Sequence, residues 1–240
     1  MTNIVMLVCD RMRLLEQALA TLAANTPRED YTLTLVDDCS SDFRVRRMLE
    51  AHATRPNVSL LRIEKSAHVL ARGKNLGAFW SEQTFGRGEW LYFSDSDVAF
   101  LPGWLGKLIV AAELTEEFHQ YKLWGGQIHP YHQEASYQHE NPRLPFSDLS
   151  LTTHEVLDGP SWLMRWDTWD QVGPFSRECA PGTCQSEDAE WCERLTQNGG
   201  RIGVVHPHVV LHTGLTNTAG ADAPGRKERE AQRATGYIYE

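Results

Sequence analysis

No apolar run in the sequence approaches the roughly 18 residues that a membrane-spanning helix requires, and no segment repeats another. Positive charge is in deficit: 23 Lys and Arg stand against 32 Asp and Glu, a formal net charge of −9. That balance excludes an extended nucleic-acid footprint, which depends on cations along a polyphosphate backbone, but leaves room for a small anionic ligand. Cysteine is scarce and odd in number, at Cys9, Cys39, Cys179, Cys184 and Cys192. A secreted disulfide framework is therefore not expected, and the spacing of the last three fits no C-x-x-C zinc knuckle. The first residues, MTNIVMLVCDRMR, lack the basic-then-apolar order of a signal peptide, so a cytoplasmic location is expected. What remains is the composition of a folded domain, with 41% hydrophobic and 23% charged residues.

Apolar runs at 4–8, 31–36, 58–63 and 89–93 predict strands. Between them Leu14, Leu15, Ala18, Leu19 and Leu22 fall at helical spacing, and helices are predicted over 43–53, 71–84 and 104–114. Alternating strands and helices imply βαβ units, hence a mainly parallel, open sheet flanked by helices with ligands at the carboxyl ends of its strands. The second half is less regular. It predicts a strand at 122–128, a loop at 129–153, extended chain at 155–165 broken by Gly159 and Pro160, a helix at 187–197, and short strands at 201–205 and 208–211. His119, His129, His132, His139 and His154 in or beside the loop read as scattered surface histidines rather than a metal cluster. Trp124, Trp162, Trp166, Trp169 and Trp191 read mainly as core. From Thr213 onward the composition turns polar and predicts a mobile tail.

Two strands run directly into carboxylates. The strand LTLV ends in Asp37-Asp38-Cys39-Ser40-Ser41-Asp42, where Ser41 or Asp42 can cap the following helix while a pair of acids at the strand end suits base or ribose recognition. The strand WLYF ends in Ser94-Asp95-Ser96-Asp97, whose D-x-D spacing aims two carboxylates toward one point, as a hard divalent cation bridging diphosphate oxygens requires. Between them Ala71-Arg72-Gly73-Lys74-Asn75-Leu76-Gly77 opens a helix with two cations and two glycines, a plausible anion site. It has neither the Walker A nor the dinucleotide-binding spacing of glycines.

The order of these elements, followed by GPSWLMRWDTWDQVGPF at 159–175 and Ser186-Glu187-Asp188-Ala189-Glu190, resembles the family 2 glycosyltransferases of the GT-A fold. The resemblance implies a single GT-A-like domain over 1–214, with a nucleotide-binding half at 1–115, an acceptor and catalytic half at 116–214, and a flexible tail or lid at 215–240. It implies that Asp38, or else Asp37, reads the nucleotide base and that Arg72, with Asn75, lies near base or diphosphate. Asp95 would face ribose or metal, Asp97 would ligate the cation, and His212 would complete the metal site. In the Glu187-Asp188 pair, Glu187 would line the donor site and Asp188 would be the general base; Ser186 stands where the family has a glycine. The implied activity is inverting transfer of a sugar from a nucleotide donor, with a UDP-sugar first among candidates, to a hydroxyl acceptor with Mn²⁺ or Mg²⁺ as cofactor. A sugar nucleotidyltransferase and a non-catalytic nucleotide- or carbohydrate-binding module of the same fold are the alternatives.

Overall fold

The computed structural model describes residues 1–64, 70–126, 144, 148–157, 159–176 and 186–213. Its first strand, β1 (Thr2–Val8), is buried along its whole length. Successive side chains of a strand point to opposite faces, and here Ile4, Met6 and Val8 enter one apolar cluster while Val5 and Leu7 enter another. A strand apolar on both faces needs a layer on each side, which is why its run reads as continuous rather than alternating.

That layering is supplied by βαβ crossovers. Strand β1 is followed by α1 (Met12–Asn25), β2 (Tyr31–Asp38), α2 (Phe43–His52), β3 (Val58–Ile63), α3 (Leu70–Phe85) and β4 (Trp90–Asp95). The four strands pair in parallel in the order β3-β2-β1-β4. The buried face of α1 is Leu15, Ala18, Leu19 and Leu22, and α2 begins on Asp42, whose carboxylate accepts a hydrogen bond from the Arg44 N–H. Helix α3 covers the opposite face with small residues. A Cβ on Gly77 would come within 2.4 Å of Val5 Cγ1 and 2.8 Å of Val36 Cγ2, so the glycine sets how closely the helix lies on the sheet.

The chain continues through β5 (Val98–Phe100), α4 (Trp104–His119), β6 (Tyr121–Gly125), β7 (Ser150–His154), β8 (Ser161–Arg165), α5 (Trp166–Val172), α6 (Ser186–Gln197), β9 (Arg201–His206) and β10 (Val210–His212). The large sheet extends beyond β4 as β8-β6-β9-β7. Here β8 runs antiparallel to β4 and β6, and β7 antiparallel to β9. Strands β5 and β10 form a separate antiparallel pair. The molecule thus has a mostly parallel central sheet between helix layers, as expected.

Three elements differ from the sequence reading. Residues 150–154, expected as the end of a loop, form the edge strand β7; with Leu151 and Thr152 its fully buried residues, it carries little periodic signal. Helix α5 follows β8 without a break, and β5 is only three residues long. The five tryptophans at 124, 162, 166, 169 and 191 are all buried. Cys9, Cys39 and Cys192 are free thiols. The tail at 215–240, His129, His132, His139, Cys179 and Cys184 lie outside the described residues. Among the described residues no helix is long and apolar enough to cross a membrane.

Candidate active site

Strand β1 lies between β2 and β4, so the carboxyl ends of these three parallel strands open side by side along one edge. At the end of β2, Asp37 is fully buried; its carboxylate accepts from the Ser40 N–H at 2.9 Å and from the Arg62 Nε–H at 3.0 Å. Its oxygens thereby shape the turn after the strand, in which Cys39 takes a left-handed conformation with φ of 57°. Asp38, the half-buried last residue of β2, stands at the strand end proper.

At the end of β4 the chain turns through Ser96 and Asp97 into β5. Strand β10 pairs with β5 in the register Val98 opposite His212, which carries a residue 115 positions away onto the turn. His212 Nε2 lies 3.1 Å from Asp97 Oδ1, and the Thr213 N–H donates to the Asp97 carbonyl at 2.8 Å. One ligand atom from each of Asp95, Asp97 and His212 lies within 4.8 Å of the other two.

The charges explain this group's protonation. Burial first, then the charge of Asp97, pushes the Asp95 carboxyl up to about 6. Burial acts the same way on Asp97, but the His212 hydrogen bond and the charges of His212 and Arg11 outweigh it and hold Asp97 below the usual carboxylate range. Burial opposes charge on His212, yet the hydrogen bond to Asp97 and the two carboxylates raise it above an ordinary imidazole. Two repelling carboxylates and an imidazole, converging at a partly buried point, fit a small divalent cation.

Beside this group sits a buried ion pair. Lys74, 2% exposed on the sheet-facing side of α3, places Nζ 2.5 Å from Asp188 Oδ1 and 3.8 Å from Glu187 Oε1 at the start of α6. The ammonium also lies 4.7 Å from the Phe175 ring centre and 5.3 Å from that of Trp162. Burial would favour the neutral amine, but Asp188, Asp95 and Glu187 together raise Lys74 above its ordinary value. Burial, and then the charge of Asp188, raises the Glu187 carboxyl. Gly159 makes room for the pair: a Cβ there would come within 2.6 Å of Asp188 Oδ2 and 2.7 Å of Lys74 Nζ.

The structure therefore brings together Asp95, Asp97, His212, Glu187 and Asp188, drawn from positions up to 117 residues apart. Asn75 is engaged with the backbone of Phe175. Its amide donates to the Phe175 carbonyl and accepts from the Phe175 N–H, both at 2.9 Å, clamping α3 to the chain after α5. Arg72 is half-buried on α3. The reading of single motifs passed over Lys74 as a partner of Asp188, although its place with Ala71, Gly77 and Ala78 on one helical face marks a buried cation that needs an anion. It also missed Arg11, whose Nη1 lies 2.6 Å from Asp97 Oδ2; nothing local in CDRMR announces a contact across 86 positions.

The profile of glycosyl transferase family 2 matches residues 3–161, more than half of the chain. The chain belongs to this family, and with it to the sugar-transferring enzymes; Asp188 and His212 lie beyond the matched segment. Comparison with curated protein sequences gave no match. Among solved structures, residues 1–349 of S. aureus TarS share 16% identity at a TM-score of 0.62, covering 99% of this chain and 70% of that one. GalNAc-T7, crystallised with UDP, GalNAc and Mn²⁺, shares 16% identity at a TM-score of 0.61 over 85% of this chain and 42% of its own. The mannosyltransferase PcManGT of Pyrobaculum calidifontis, crystallised with GDP-Man and Mn²⁺, shares 12% at 0.58 over 85% and 56%. At such identities the likeness is one of fold, GT-A, and the chain spans only about half the length of the last two.

Proposed function

We propose that this protein transfers a sugar from a nucleotide diphosphate donor, a UDP-sugar foremost, to a hydroxyl acceptor with inversion at the anomeric carbon. The observation that carries the reading is the convergence of Asp95, Asp97 and His212 beside the Lys74–Asp188 pair. TarS has been crystallised with UDP and with UDP-GlcNAc, which supports a UDP-sugar as the donor here.

In this reading Asp38 accepts from the base, with Arg72 near base or diphosphate. Asp97 and His212, with Asp95 on metal or ribose, would hold the divalent cation. When bound, that cation supplies positive charge against which a diphosphate leaves. Asp188 accepts the acceptor's proton. Lys74 holds its Oδ1, which leaves Oδ2 to take that proton, and Glu187, 3.8 Å from the same ammonium, lines the donor side. A base lying across from the leaving group calls for a single in-line displacement, hence inversion.

A panel of UDP- and GDP-sugars with Mn²⁺ and simple hydroxyl acceptors tests the reading. Release of nucleoside diphosphate with a product of inverted configuration is expected. Pyrophosphate release would instead mark a nucleotidyltransferase, and binding without turnover a binding module.

A further inference from the structure

Asp10 and Arg11 are consecutive non-glycine residues in the left-handed region, with φ of 53° and 57°. Such residues are strained, and successive ones persist only where the surroundings fix them. Those surroundings are visible. The Asp10 carboxylate accepts from Ser41 Oγ at 2.9 Å and the Asp42 N–H at 2.8 Å, while its own N–H donates to Ser40 Oγ at 3.0 Å. The turn after β2 thus grips the turn after β1, and the strained pair projects the Arg11 side chain onto Asp97 beyond the end of β4.

The position is telling. Strands in a sheet lie about 4.8 Å apart, and β1 separates Asp38 at the end of β2 from Asp97 after β4. A nucleotide whose base lies at Asp38 and whose diphosphate reaches Asp97 must cross the end of β1, and the cation at that crossing is Arg11. Its side chain is 45% exposed, and its planar fork of N–H donors matches phosphate oxygens. Asp97 has both oxygens engaged, Oδ1 by His212 and Oδ2 by Arg11. A divalent cation taking Oδ2 must compete with the guanidinium, and a diphosphate offers the guanidinium another anion.

We propose that Arg11 is a diphosphate-binding residue that holds Asp97 in the free protein and passes to the donor diphosphate as the cation takes Asp97, so that donor and cation bind cooperatively. This rests on the reading of the donor as a nucleotide diphosphate.

Calorimetry on the full chain tests it with uridine, UDP, MnCl₂, and UDP in the presence of MnCl₂, for the unaltered protein, Arg11→Gln and Arg11→Lys. Loss of a charge-assisted hydrogen bond predicts that Arg11→Gln weakens UDP in Mn²⁺ by about ten- to a hundredfold. Uridine, which has no phosphate, should change by less than about twofold on that scale. Mn²⁺ alone should bind Arg11→Gln at least as tightly as the unaltered protein, because its competitor for Asp97 is gone. Arg11→Lys should recover part of the UDP affinity. Unchanged UDP affinity in Arg11→Gln, an equal loss for uridine and UDP, or weaker binding of Mn²⁺ alone would each overturn the role of Arg11 while leaving the donor reading intact. Failure of the unaltered protein to bind UDP with Mn²⁺ would overturn the reading of a UDP-sugar donor and the role of Arg11 together.

Discussion

Lys74 Nζ and Asp188 Oδ1, 114 positions apart in sequence, meet at 2.5 Å and tie helix α3 to helix α6. A buried ammonium in contact with two carboxylates and near a third is stable only as a set, because removing one member leaves the others charged and poorly solvated. Lys74→Met keeps the length of the side chain and deletes its charge. The variant should lose about 3 kcal/mol of stability, the lower end of what breaking a buried pair costs, since Asp188 retains some solvent contact. Urea denaturation at pH 7 measures the loss, and an unchanged midpoint would mean that the pair contributes nothing net.

The same pair carries the proposed proton transfer, and Asp188→Asn tests it at some cost in stability, since Lys74 is left with Glu187 and Asp95 alone. Asp188→Asn is close to isosteric but cannot take a proton, so turnover should fall by about 10² to 10⁴ while UDP affinity stays nearly constant. Gly159→Ala should act in the same direction, because its Cβ would intrude on Asp188 Oδ2 and Lys74 Nζ without altering either group. Steady-state rates beside calorimetric UDP affinities distinguish these effects. If the whole loss in Asp188→Asn lay in UDP affinity, Asp188 would belong to the donor site rather than to proton transfer.

Metal dependence is predicted from the Asp95, Asp97 and His212 group. UDP should bind more tightly with Mn²⁺ than in EDTA, and Asp97→Ala should abolish that difference. Calorimetric titration of UDP under both conditions is the check, and a metal response that survives in Asp97→Ala would remove Asp97 from the ligand set.

A separate pH dependence is expected from the β7–β9 edge. His206 Nε2 is 2.8 Å from Thr152 Oγ1, and the ring centre of His208 is 4.9 Å from its own. Burial, then the charges of His208 and His154, lowers His206 to about 4. Since the unfolded imidazole protonates near 6.5, the native state binds this proton less readily than the unfolded state. The stability is therefore complete above about pH 6.5 and is lost as pH falls toward 4. After allowance for solvent around a half-buried ring, the loss should be on the order of 1–2 kcal/mol. Urea midpoints at pH 7.5 and 5.0 should differ less in His206→Asn than in the unaltered protein; equal differences would place the acid sensitivity elsewhere.

Much of the fold was legible because its determinants are local. Strand β1 reads as a strand from its unbroken apolar run, α1 as a helix from Leu15, Ala18, Leu19 and Leu22, and β2 and β4 as strands that end in carboxylates because acids follow apolar runs directly. Edge strand β7, three-residue β5 and helix α5 were not legible, since each is too short to build a period and depends on its neighbours for pairing or cover. Asp37 and Asp38 illustrate the boundary within two adjacent residues. Sequence placed both at a strand end; the turn back to Ser40 and the pairing of β2 with β3, which brings Arg62 alongside, bury one and leave the other partly open.

The sequence by itself determined the alternation of strand and helix, the carboxylates at the strand ends and the family. Tertiary structure alone decided that His212 lies on Asp97, that Arg11 reaches Asp97 from the far side, and that Lys74 pairs with Asp188. The physical reason is separation. Hydrophobic period and strand-end chemistry are set within a few residues, whereas a contact over 86 to 115 positions exists only once sheet order and register bring the two segments together.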